Sequence, residues 1–455
     1  WEVKKARNIG DFNGSTVDKK IDESQKKVRL VNFLDVYNNP KFEIREKKFM
    51  VVSAKDDQIN KFRVNIGDVV FTPSSEIRED IGRSAVIKYE ANDLVHSYHV
   101  VRLKFRQELN IDFKKYLFNN YFVLKYFSKV CTGSTRKILT RQNFNNIELV
   151  IPPLSEQTAI ANFLDYKTAK IDRFIFKKKQ LIKLLNEQKA GIINDAVTKG
   201  LNPNAKTKPS GIEWLGDIPE HWEVRKLKYV AEVLRGKFTP RPRNDPKYYD
   251  GQYPFVQTGN VATSDKYIET YSQTLNEFGY EVSKEFPVNS IVMTIAANIA
   301  DVAILKFNAC FPDSIIGFKP FDNIDVEFLY YQLKNLRSHF FKIAIKSTQY
   351  NLNVERVQSV FIILPPIQEQ KAIVSHIEKE TAIINKTITT IEKEIALVQE
   401  YRTAIIAEAV TGKIDVREYS LNYDSNDLMN TIIEDSEEFE DSDGLMESLT
   451  NDSEN

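Results

Sequence analysis

The sequence predicts an α/β (α+β) fold with two similar modules separated by two long antiparallel coiled-coil helices, related by pseudo-two-fold symmetry. Residues 151–201 recur at 364–414 without a gap, with 18 identities over 51 positions. The opening segment Trp1-Glu-Val-Lys-Lys returns as Trp222-Glu-Val-Arg-Lys at a different offset. A chain that repeats itself in this way is built from two copies of one structural unit. The gap-free part predicts paired helices, because one inserted residue rotates a helix face by about 100°.

The gap-free repeats carry an apolar stripe whose spacing, after the first step, alternates between four and three residues, which is typical of a coiled-coil seam. In the first repeat the stripe is Ile160, Leu164, Thr168, Ile171, Ile175, Lys178, Ile182, Leu185, Lys189, Ile192 and Ala196. In the second it is Ile373, Ile377, Thr381, Ile384, Ile388, Ile391, Ile395, Val398, Arg402, Ile405 and Ala409. About 43 residues at 1.5 Å each give rods of roughly 65 Å. The isoleucines favour pairing of the two rods over a single exposed helix.

The segments before the rods alternate strand-like and helix-like patterns, as expected for α/β or α+β modules. Strands are predicted at residues 69–71, 84–87, 99–103 and 291–293, and the apolar run 290–305 is expected to form two buried strands. A helical stretch follows in each copy, at 113–129 and 326–345. A polar turn and a last strand then lead into Pro152-Pro153 and Pro365-Pro366, which exclude helix upstream of the rods.

These patterns give a linear domain plan. It comprises module 1 (1–154), the first helix (155–200), a Pro- and Gly-bearing linker (201–221), module 2 (222–366), the second helix (367–413) and an acidic tail (414–455) predicted to be disordered.

The net charge of zero conceals an uneven distribution. Residues 421–455 hold 12 of the 63 acidic residues and no lysine or arginine, so residues 1–420 have 12 more basic than acidic residues. A basic body suggests a polyanionic partner, although ordinary solubilising charge gives the same count. The tail is expected to act either as a passive solubility segment, which we favour, or as a mimic of DNA that covers the basic surface.

The sequence lacks the patterns that mark several kinds of catalytic and ligand-binding site. No phosphate-binding loop, dinucleotide-binding glycine motif or nucleophile motif is present, and no run of 18 apolar residues suggests a membrane span. The two cysteines, Cys131 and Cys310, form no metal or disulfide pattern, which favours a reducing cytoplasm. His96 and His99 are spaced like metal ligands, but without a neighbouring carboxylate or cysteine cluster a half-buried strand pair is favoured. The chain is therefore predicted to bind rather than to catalyse.

Two loops per module carry side chains suited to DNA, a ligand whose own two-fold character matches a duplicated protein. In module 2, prolines stiffen a loop with four cations, and tyrosines, amides and a hydroxyl follow it. Such side chains contact phosphates or read guanine and adenine edges. The predicted DNA-binding residues there are Arg235, Lys237, Thr239, Arg241, Arg243, Tyr248, Tyr249, Gln257, Thr258 and Asn260.

Module 1 offers a less obvious set, and both modules share a Ser-Thr turn that is expected to clamp the DNA backbone. The candidates in module 1 are Ser74, Arg78, Arg83, Ser134, Thr135, Arg136, Lys137 and Arg141. Those of the second turn are Ser347, Thr348, Gln349 and Tyr350. Any one of these residues is equally consistent with an ordinary surface position, so the prediction depends on the sets.

The sequence resembles the DNA specificity subunits of type I restriction–modification enzymes. The resemblance is carried by Ser210-Gly-Ile-Glu-Trp-Leu-Gly-Asp-Ile-Pro-Glu-His-Trp-Glu-Val, by Gly-x-x-Thr-Pro at 236–240 and by Leu364-Pro-Pro-Ile-Gln-Glu-Gln. The order of module, helix, module and helix over roughly residues 1–415 matches as well. Module 1 lacks a clear Gly-x-x-Thr-Pro, and the acidic tail is not typical of the family.

The resemblance implies that each module is a target-recognition domain for one half of a bipartite DNA site, with the helices as a spacer. It also implies methyltransferase (modification) subunits as partners, and through them a restriction/translocase subunit. S-adenosylmethionine, ATP and Mg²⁺ are then expected in those partners, with no cofactor or metal in this chain. The expected location is the cytoplasm of a bacterium or archaeon. Two alternatives remain open: a coiled-coil scaffold without DNA binding, and the recognition half of a single-chain restriction–methylation enzyme.

Overall fold

The structure, a computed structural model, describes residues 1–296, 298–346 and 350–417. Nearly all of the predicted acidic tail therefore lies outside the described residues. Internal contacts divide the chain into two units. Unit 1 joins Trp1–Lys179 to the segment that begins at Glu392, and unit 2 is Gln180–Ile391. The linear plan assigned each long helix to a segment of its own, whereas the contacts give one part of each helix to each unit.

Unit 1 is an α+β module. Its strands are β1 (Glu2–Lys5), β2 (Gly10–Gly14), β3 (Lys26–Val31), β4 (Glu43–Ile44), β5 (Met50–Ala54), β6 (Val69–Phe71), β7 (Ser74–Ser75), β8 (Ser84–Ile87), β9 (Leu94–His96), β10 (Val101–Phe105), β11 (Lys137–Ile138) and β12 (Glu148–Ile151). Its helices are α1 (Ala6–Ile9), α2 (Phe33–Tyr37), α3 (Asp56–Phe62), α4 (Ile111–Phe118), α5 (Tyr121–Val130), α6 (Arg141–Asn145) and the first part of α7 (Leu154–Lys199).

Unit 2 repeats this plan. Its strands are β13 (Thr207–Pro209), β14 (Asp217–Pro219), β15 (Glu223–Lys226), β16 (Ala231–Arg235), β17 (Tyr249–Pro254), β18 (Tyr267–Ile268), β19 (Thr274–Leu275), β20 (Glu285–Phe286), β21 (Ile291–Thr294), β22 (Val302–Leu305), β23 (Ala309–Cys310), β24 (Ile315–Pro320), β25 (Ile345–Lys346), β26 (Tyr350–Asn351) and β27 (Phe361–Leu364). Its helices are α8 (Thr258–Thr263), α9 (Glu277–Glu281), α10 (Val326–Asn335), α11 (Arg337–Ile343), α12 (Val354–Ser359) and the first part of α13 (Ile367–Val410).

The central sheets of the two units have the same topology. The strand order is β2-β10-β6-β8-β4 in unit 1 and β16-β24-β21-β22-β18 in unit 2. Neighbouring strands are antiparallel except at one edge, where β4 runs parallel to β8 and β18 runs parallel to β22. The entering strand of each module pairs with the strand before its long helix, β1 with β12 and β15 with β27. The internal repeat of the sequence is thus a repeat of strand order.

The predicted strands are present with small shifts. β6 and β8 occupy the predicted residues, and the run 290–305 forms the two strands β21 and β22. The strand predicted at 99–103 begins only at Val101, so His99 lies in the preceding turn. The predicted linker also contains structure, because β13 pairs with β14 and places Ile218 in the core of unit 2.

Each stretch predicted as one helix before the polar turn is two helices. In unit 1 the break lies at Asn119 and Asn120. The Asn120 side chain caps α5 by accepting hydrogen bonds from the backbone N–H groups of Phe122 and Val123. Asn119 exchanges hydrogen bonds with the backbone of Ser84 on β8. Asparagine side chains compete with the helix for backbone groups, which explains why the helix ends here.

The two long helices pair within each unit. In unit 1 Arg402 Nε lies 3.3 Å from Asp172, and Lys178 Nζ lies 2.7 Å from Glu394. The later residue of α7 therefore pairs with the earlier residue of α13. In unit 2 Lys189 Nζ donates to Asn385 Oδ1 at 2.8 Å. The pairing is antiparallel, as predicted. Every position of the predicted stripe is buried or half-buried.

Each paired segment also completes the core of its module. The unit 1 core contains Ile160 and Leu164 of α7 together with Ile405 of α13. The unit 2 core contains Ile193 of α7 and Ile373 of α13 around the fully buried Trp222. Burial of each such side chain stabilises the fold by about 1.5–3 kcal/mol. Among the described residues, no helix is both long enough and apolar enough to cross a bilayer.

Candidate nucleic-acid interface

One end of the central sheet in unit 1 collects most of the polar positions predicted for that module. Val101 pairs with both Gly14 and Phe71, and Phe71 pairs with Ser84. Two strands therefore leave the sheet at this end and two enter it. The connecting segments here, called sheet end 1, are residues 15–20, 72–83 and 97–100.

The Ser-Thr turn of module 1 reaches sheet end 1 through a short hairpin. β7 pairs with β11, so that Ser74 lies opposite Ile138. The Arg136 Nε donates to Ser74 Oγ at 3.1 Å, which joins two residues predicted from separate segments. The Lys137 ammonium donates back to the carbonyls of Gly133 and Ser134 at 2.7 and 2.8 Å. Exposed Ser134 and Thr135 form the tip of this turn.

The turn requires glycine at one position. Gly133 has φ of +108°, and a Cβ there would lie 2.1 Å from the Arg136 carbonyl oxygen. A side chain is excluded both by this contact and by the left-handed backbone.

The three remaining cations of the module 1 set differ in their surroundings. Arg83 forms an ion pair with Asp80 and lies 4.9 Å from the centroid of the Tyr37 ring. Its charge is therefore already balanced within the fold. Arg78 is exposed and donates to the Ser128 carbonyl at 2.9 Å, and exposed Arg141 begins α6.

The equivalent end of the central sheet in unit 2, called sheet end 2, has the same strand register. Ile316 pairs with Arg235 and with Met293, and Met293 pairs with Val302. Its described connecting segments are residues 236–243, 298–301 and 311–314. The predicted basic loop thus leaves β16 where residues 15–20 leave β2.

The basic loop of sheet end 2 is held in place by Asp313. Arg235 Nε donates to the Asp313 carbonyl at 2.6 Å, and the Asp313 carboxylate pairs with Arg243 and, at 3.8 Å, with Arg241. A Cβ on Gly236 would lie 2.3 Å from the Pro312 carbonyl, so the loop backbone packs directly against this segment. Asp313 fixes the position of the loop and also offsets part of its charge.

Apolar and polar side chains alternate along the loop. Phe238 and Pro240 are buried, whereas Lys237, Thr239 and Arg241 are exposed. The Phe238 ring packs against Tyr248 and Tyr249, with centroids 6.1 and 5.8 Å away.

The two tyrosines therefore support the loop from inside the fold. Tyr249 also donates a hydrogen bond from its hydroxyl to the Arg243 carbonyl. Burial raises the pKa of Tyr249. A role for either tyrosine in DNA contact stays a prediction.

The amides predicted to read adenine are already used by the fold. Asn260 Oδ1 accepts from the Gln257 backbone N–H at 2.9 Å at the start of α8, next to half-buried Thr258. Gln257 Nε2 donates to Gln273 Oε1 at 3.0 Å. Each amide keeps donors and lone pairs that these bonds do not use, and base contact by the two residues stays a prediction.

The second Ser-Thr turn is only partly described. Tyr350 on β26 is half-buried against Phe341, with ring centroids 5.4 Å apart. Ser347, Thr348 and Gln349 lie outside the described residues.

Sequence reasoning missed Lys19, Tyr98 and His99 at sheet end 1. Tyr98 is 46% exposed, and its ring centroid lies 3.8 Å from that of His99. Its backbone N–H donates to the Val17 carbonyl at 3.1 Å, which ties segment 97–100 to segment 15–20. Burial and the charges of Lys19 and Arg136 lower the pKa of His99. Aligning module 1 to module 2 strand by strand, rather than by one fixed offset, would have indicated these residues.

His96 and His99 lie in different surroundings. His96 is fully buried with Phe62 edge-on to its ring, and Nδ1 lies 3.1 Å from the Val100 carbonyl oxygen. Burial and the neighbouring Arg102 lower the pKa of His96 to about 3. His99 lies in the turn beyond β9. This is the arrangement of a buried strand histidine followed by a surface histidine.

An ion pair joins each module to its helix at the same helix position, although the two lysines come from different elements of the modules. In unit 1 Lys115 Nζ lies 2.6 Å from Asp165 on α7. In unit 2 Lys266 Nζ lies 2.6 Å from Glu378 on α13, the residue 213 positions after Asp165. Burial raises the pKa of Asp165 despite the neighbouring Lys115. The orientation of each module on its helix segment is fixed by these contacts and by the shared core.

Comparison with known families decides the identity of this architecture. A family model described as the type I restriction modification DNA specificity domain matches residues 1–184 and 219–397. The chain belongs to this family. The two matched segments coincide with the two copies of the duplicated fold.

Relatives of this type I specificity family span most of the chain. The MjaX specificity subunit of Methanocaldococcus jannaschii is 25% identical over 92% of this chain and 94% of that protein. The MjaVIII type I restriction enzyme specificity subunit of the same organism is 27% identical over 70% of this chain and 74% of its own length.

A solved structure from work on complex assembly and conformational transition of the type I R-M system has the same fold. Its TM-score is 0.67 at 16% identity, covering 91% of this chain and 98% of that chain. As a family member, this chain supplies DNA sequence specificity within a restriction–modification complex.

Proposed function

We propose that each module of this specificity subunit reads one half of a bipartite duplex DNA site through its sheet end. Helices α7 and α13 act as the spacer between the half-sites and bind methyltransferase subunits, through which a restriction/translocase subunit joins. The chain itself is non-catalytic, and S-adenosylmethionine, ATP and Mg²⁺ serve the partners, which methylate adenine and cleave DNA. The assembly works in the cytoplasm of a bacterium or archaeon.

The recurrence of one sheet end in both modules carries this proposal. Strand order and register are the same, and cationic side chains lie on the connecting segments in both cases. Two equivalent surfaces in one chain suit a DNA site made of two separated halves. The surplus of basic over acidic residues in 1–420 supplies the sequence-independent attraction to phosphates.

Exposed apolar side chains on the long helices support a role in partner binding. Leu184 on α7 is 59% exposed, and Ile383 and Leu397 on α13 are 63% and 64% exposed. These residues lie outside the buried stripe, so helix pairing leaves them uncovered. Protein interfaces commonly bury such side chains.

The proposed function is tested by methylome sequencing of cells that carry this chain together with its modification subunit. We expect methylated adenines in a motif of two defined halves separated by unspecified base pairs. Cells that carry the modification subunit alone are the control and should lack the motif. A single uninterrupted motif, or methylation that does not depend on this chain, contradicts the proposal.

The spacer role has its own test. Removal of one helical turn from both α7 and α13 shortens each by about 5.4 Å. Because base pairs are stacked about 3.4 Å apart, the unspecified gap of the motif should change by one or two base pairs while both halves stay the same. A gap that stays fixed in a folded, active variant contradicts this role.

A further inference from the structure

We propose that Lys19, Tyr98, His99, Ser74 and Arg136 form one phosphate-binding patch that grips the DNA backbone at the first half-site. This inference rests on the proposed function and specifies how module 1 carries it out. The five residues come from three connecting segments and the Ser-Thr turn, all at sheet end 1, and are called the Tyr98 patch below.

Its position follows from the equivalence of the two modules. Gly14, which ends β2, occupies the register position of Arg235, which ends β16. The segment with Lys19 therefore replaces the basic loop of module 2. By the same register, Tyr98 before β10 occupies the position that Asp313 occupies before β24, and His99 occupies the position of Ser314. Module 1 thus has an aromatic pair in the place where module 2 has the carboxylate that holds its loop.

The contacts of the patch give it a defined shape. The Tyr98 backbone is held by Val17, and the His99 backbone N–H lies 3.3 Å from Ser97 Oγ. Arg136 is held by its bond to Ser74 Oγ. Arg136 and Ser74 are therefore held to each other before binding, which lowers the conformational entropy that they lose when they contact a ligand.

The chemistry of the patch suits phosphate more than base edges. Lys19 and Arg136 supply two cations, and Tyr98 and Ser74 supply hydroxyl donors of the kind that bond phosphate oxygens. The charges of Lys19 and Arg136 lower the pKa of His99, and the negative charge of a bound phosphate opposes that effect. The geometry therefore points to contacts that position the duplex without reading its sequence.

The test uses the full chain with its modification subunits and a duplex that carries the motif found by methylome sequencing. In the variant Lys19→Ala/Arg136→Ala, the slope of log affinity against log salt should fall by about one for each phosphate that is no longer neutralised. Base preference in both halves should be retained. Tyr98→Phe, which removes only a hydroxyl, should weaken binding and leave the slope unchanged.

Lys104→Ala/Arg106→Ala is the matched control, because it removes the same two charges at the other end of β10. If the salt slope of the Lys19/Arg136 variant equals that of this control, the proposed phosphate-binding patch is wrong. Binding of the motif by the wild-type chain would still support the proposed function in that case. Loss of base preference in the first half overturns the assignment to phosphate. Wild-type protein that does not discriminate the motif duplex overturns the proposed function itself. Thermal unfolding of both variants shows whether module 1 remains folded.

Discussion

The two modules share a framework and differ in how they present charge at the sheet end. Module 2 concentrates its cations on one proline-bearing loop that Asp313 and buried Phe238 hold in place. Module 1 distributes them over separate segments, with Arg136 bonded to Ser74 and Lys19 in residues 15–20. The difference shows that strand order is maintained by the core, whereas the connecting segments are free to carry different chemistry. Under the proposed function, this lets two different half-sites be read on one fold.

The two modules also differ in the ion pairs that join each module to its helix. Lys115 is 8% exposed and lies within 4 Å of three carboxylates, those of Asp165, Asp112 and Glu43. Lys266 is 13% exposed and has two partners, Glu378, which is 49% exposed, and Glu327, which is 32% exposed.

We expect the largest effect from Lys115→Met, which leaves three carboxylates without their central cation. Removing one partner of a buried ion pair costs about 3–5 kcal/mol. Lys266→Met should cost less, about 1 kcal/mol per pair, because it leaves two carboxylates rather than three and water compensates the exposed Glu378. Urea denaturation of both variants measures the difference, with Lys199→Met, in an exposed pair on α7, as the control. Equal losses at Lys115 and Lys266 would contradict the distinction between the two modules.

Arg241→Ala/Arg243→Ala should weaken binding to the second half-site by about 1–3 kcal/mol for each arginine that reads a base, and should lower the salt slope. The first half-site should be unaffected, since the residues that bind it lie on the other module. Binding to duplexes altered in one half at a time measures this. Arg225→Ala, an exposed arginine paired with Glu223 on β15, is the control. Unchanged affinity and slope would remove the basic loop from the DNA interface.

Asp313→Asn should act in the opposite direction. It keeps the shape of the side chain but removes the charge that pairs with Arg241 and Arg243. The freed guanidinium groups should bind nonspecific duplex several-fold more tightly, with a slope steeper by about one. Affinity for a duplex without the motif, titrated across salt concentration, reports this. Weaker binding with a shallower salt slope would mean that Asp313 mainly keeps the loop folded.

The smallest effect is a pH dependence confined to the first half-site. Burial and the charges of Lys19 and Arg136 lower the pKa of His99 in the free protein, with Asp18 opposing them. Nearby phosphates raise that pKa, and binding then takes up a proton. Affinity should increase as pH falls through the pKa of the bound state, by at most about tenfold per pH unit.

His99→Gln should remove this dependence, whereas His221→Gln, at an exposed histidine of unit 2 beside Glu369, should leave it intact. Binding measured between pH 6 and pH 8, with the two half-sites altered separately, distinguishes these outcomes. A dependence that survives His99→Gln would exclude this histidine as its source.

Much of the interface could be predicted only as a set of segments. The candidates Ser74 and Arg136 are 62 positions apart, and their hydrogen bond follows from the pairing of β7 with β11. Gln257 and Asn260 have the residue types that read adenine, yet they form a helix cap. Residue type indicates what a side chain is able to bind, but the hydrogen bonds of the fold decide whether its polar atoms are already satisfied.

The sequence by itself determined the duplication, the antiparallel helix pair and five of the ten strands of the central sheets, namely β6, β8, β10, β21 and β22. Those features depend on periodic burial, which is written directly in the spacing of apolar residues. Only the tertiary structure decided that the Ser-Thr turn, the segment with Lys19 and the Tyr98–His99 pair meet at one end of a sheet. Strand order and register set such distances, and no local spacing encodes which strands become neighbours.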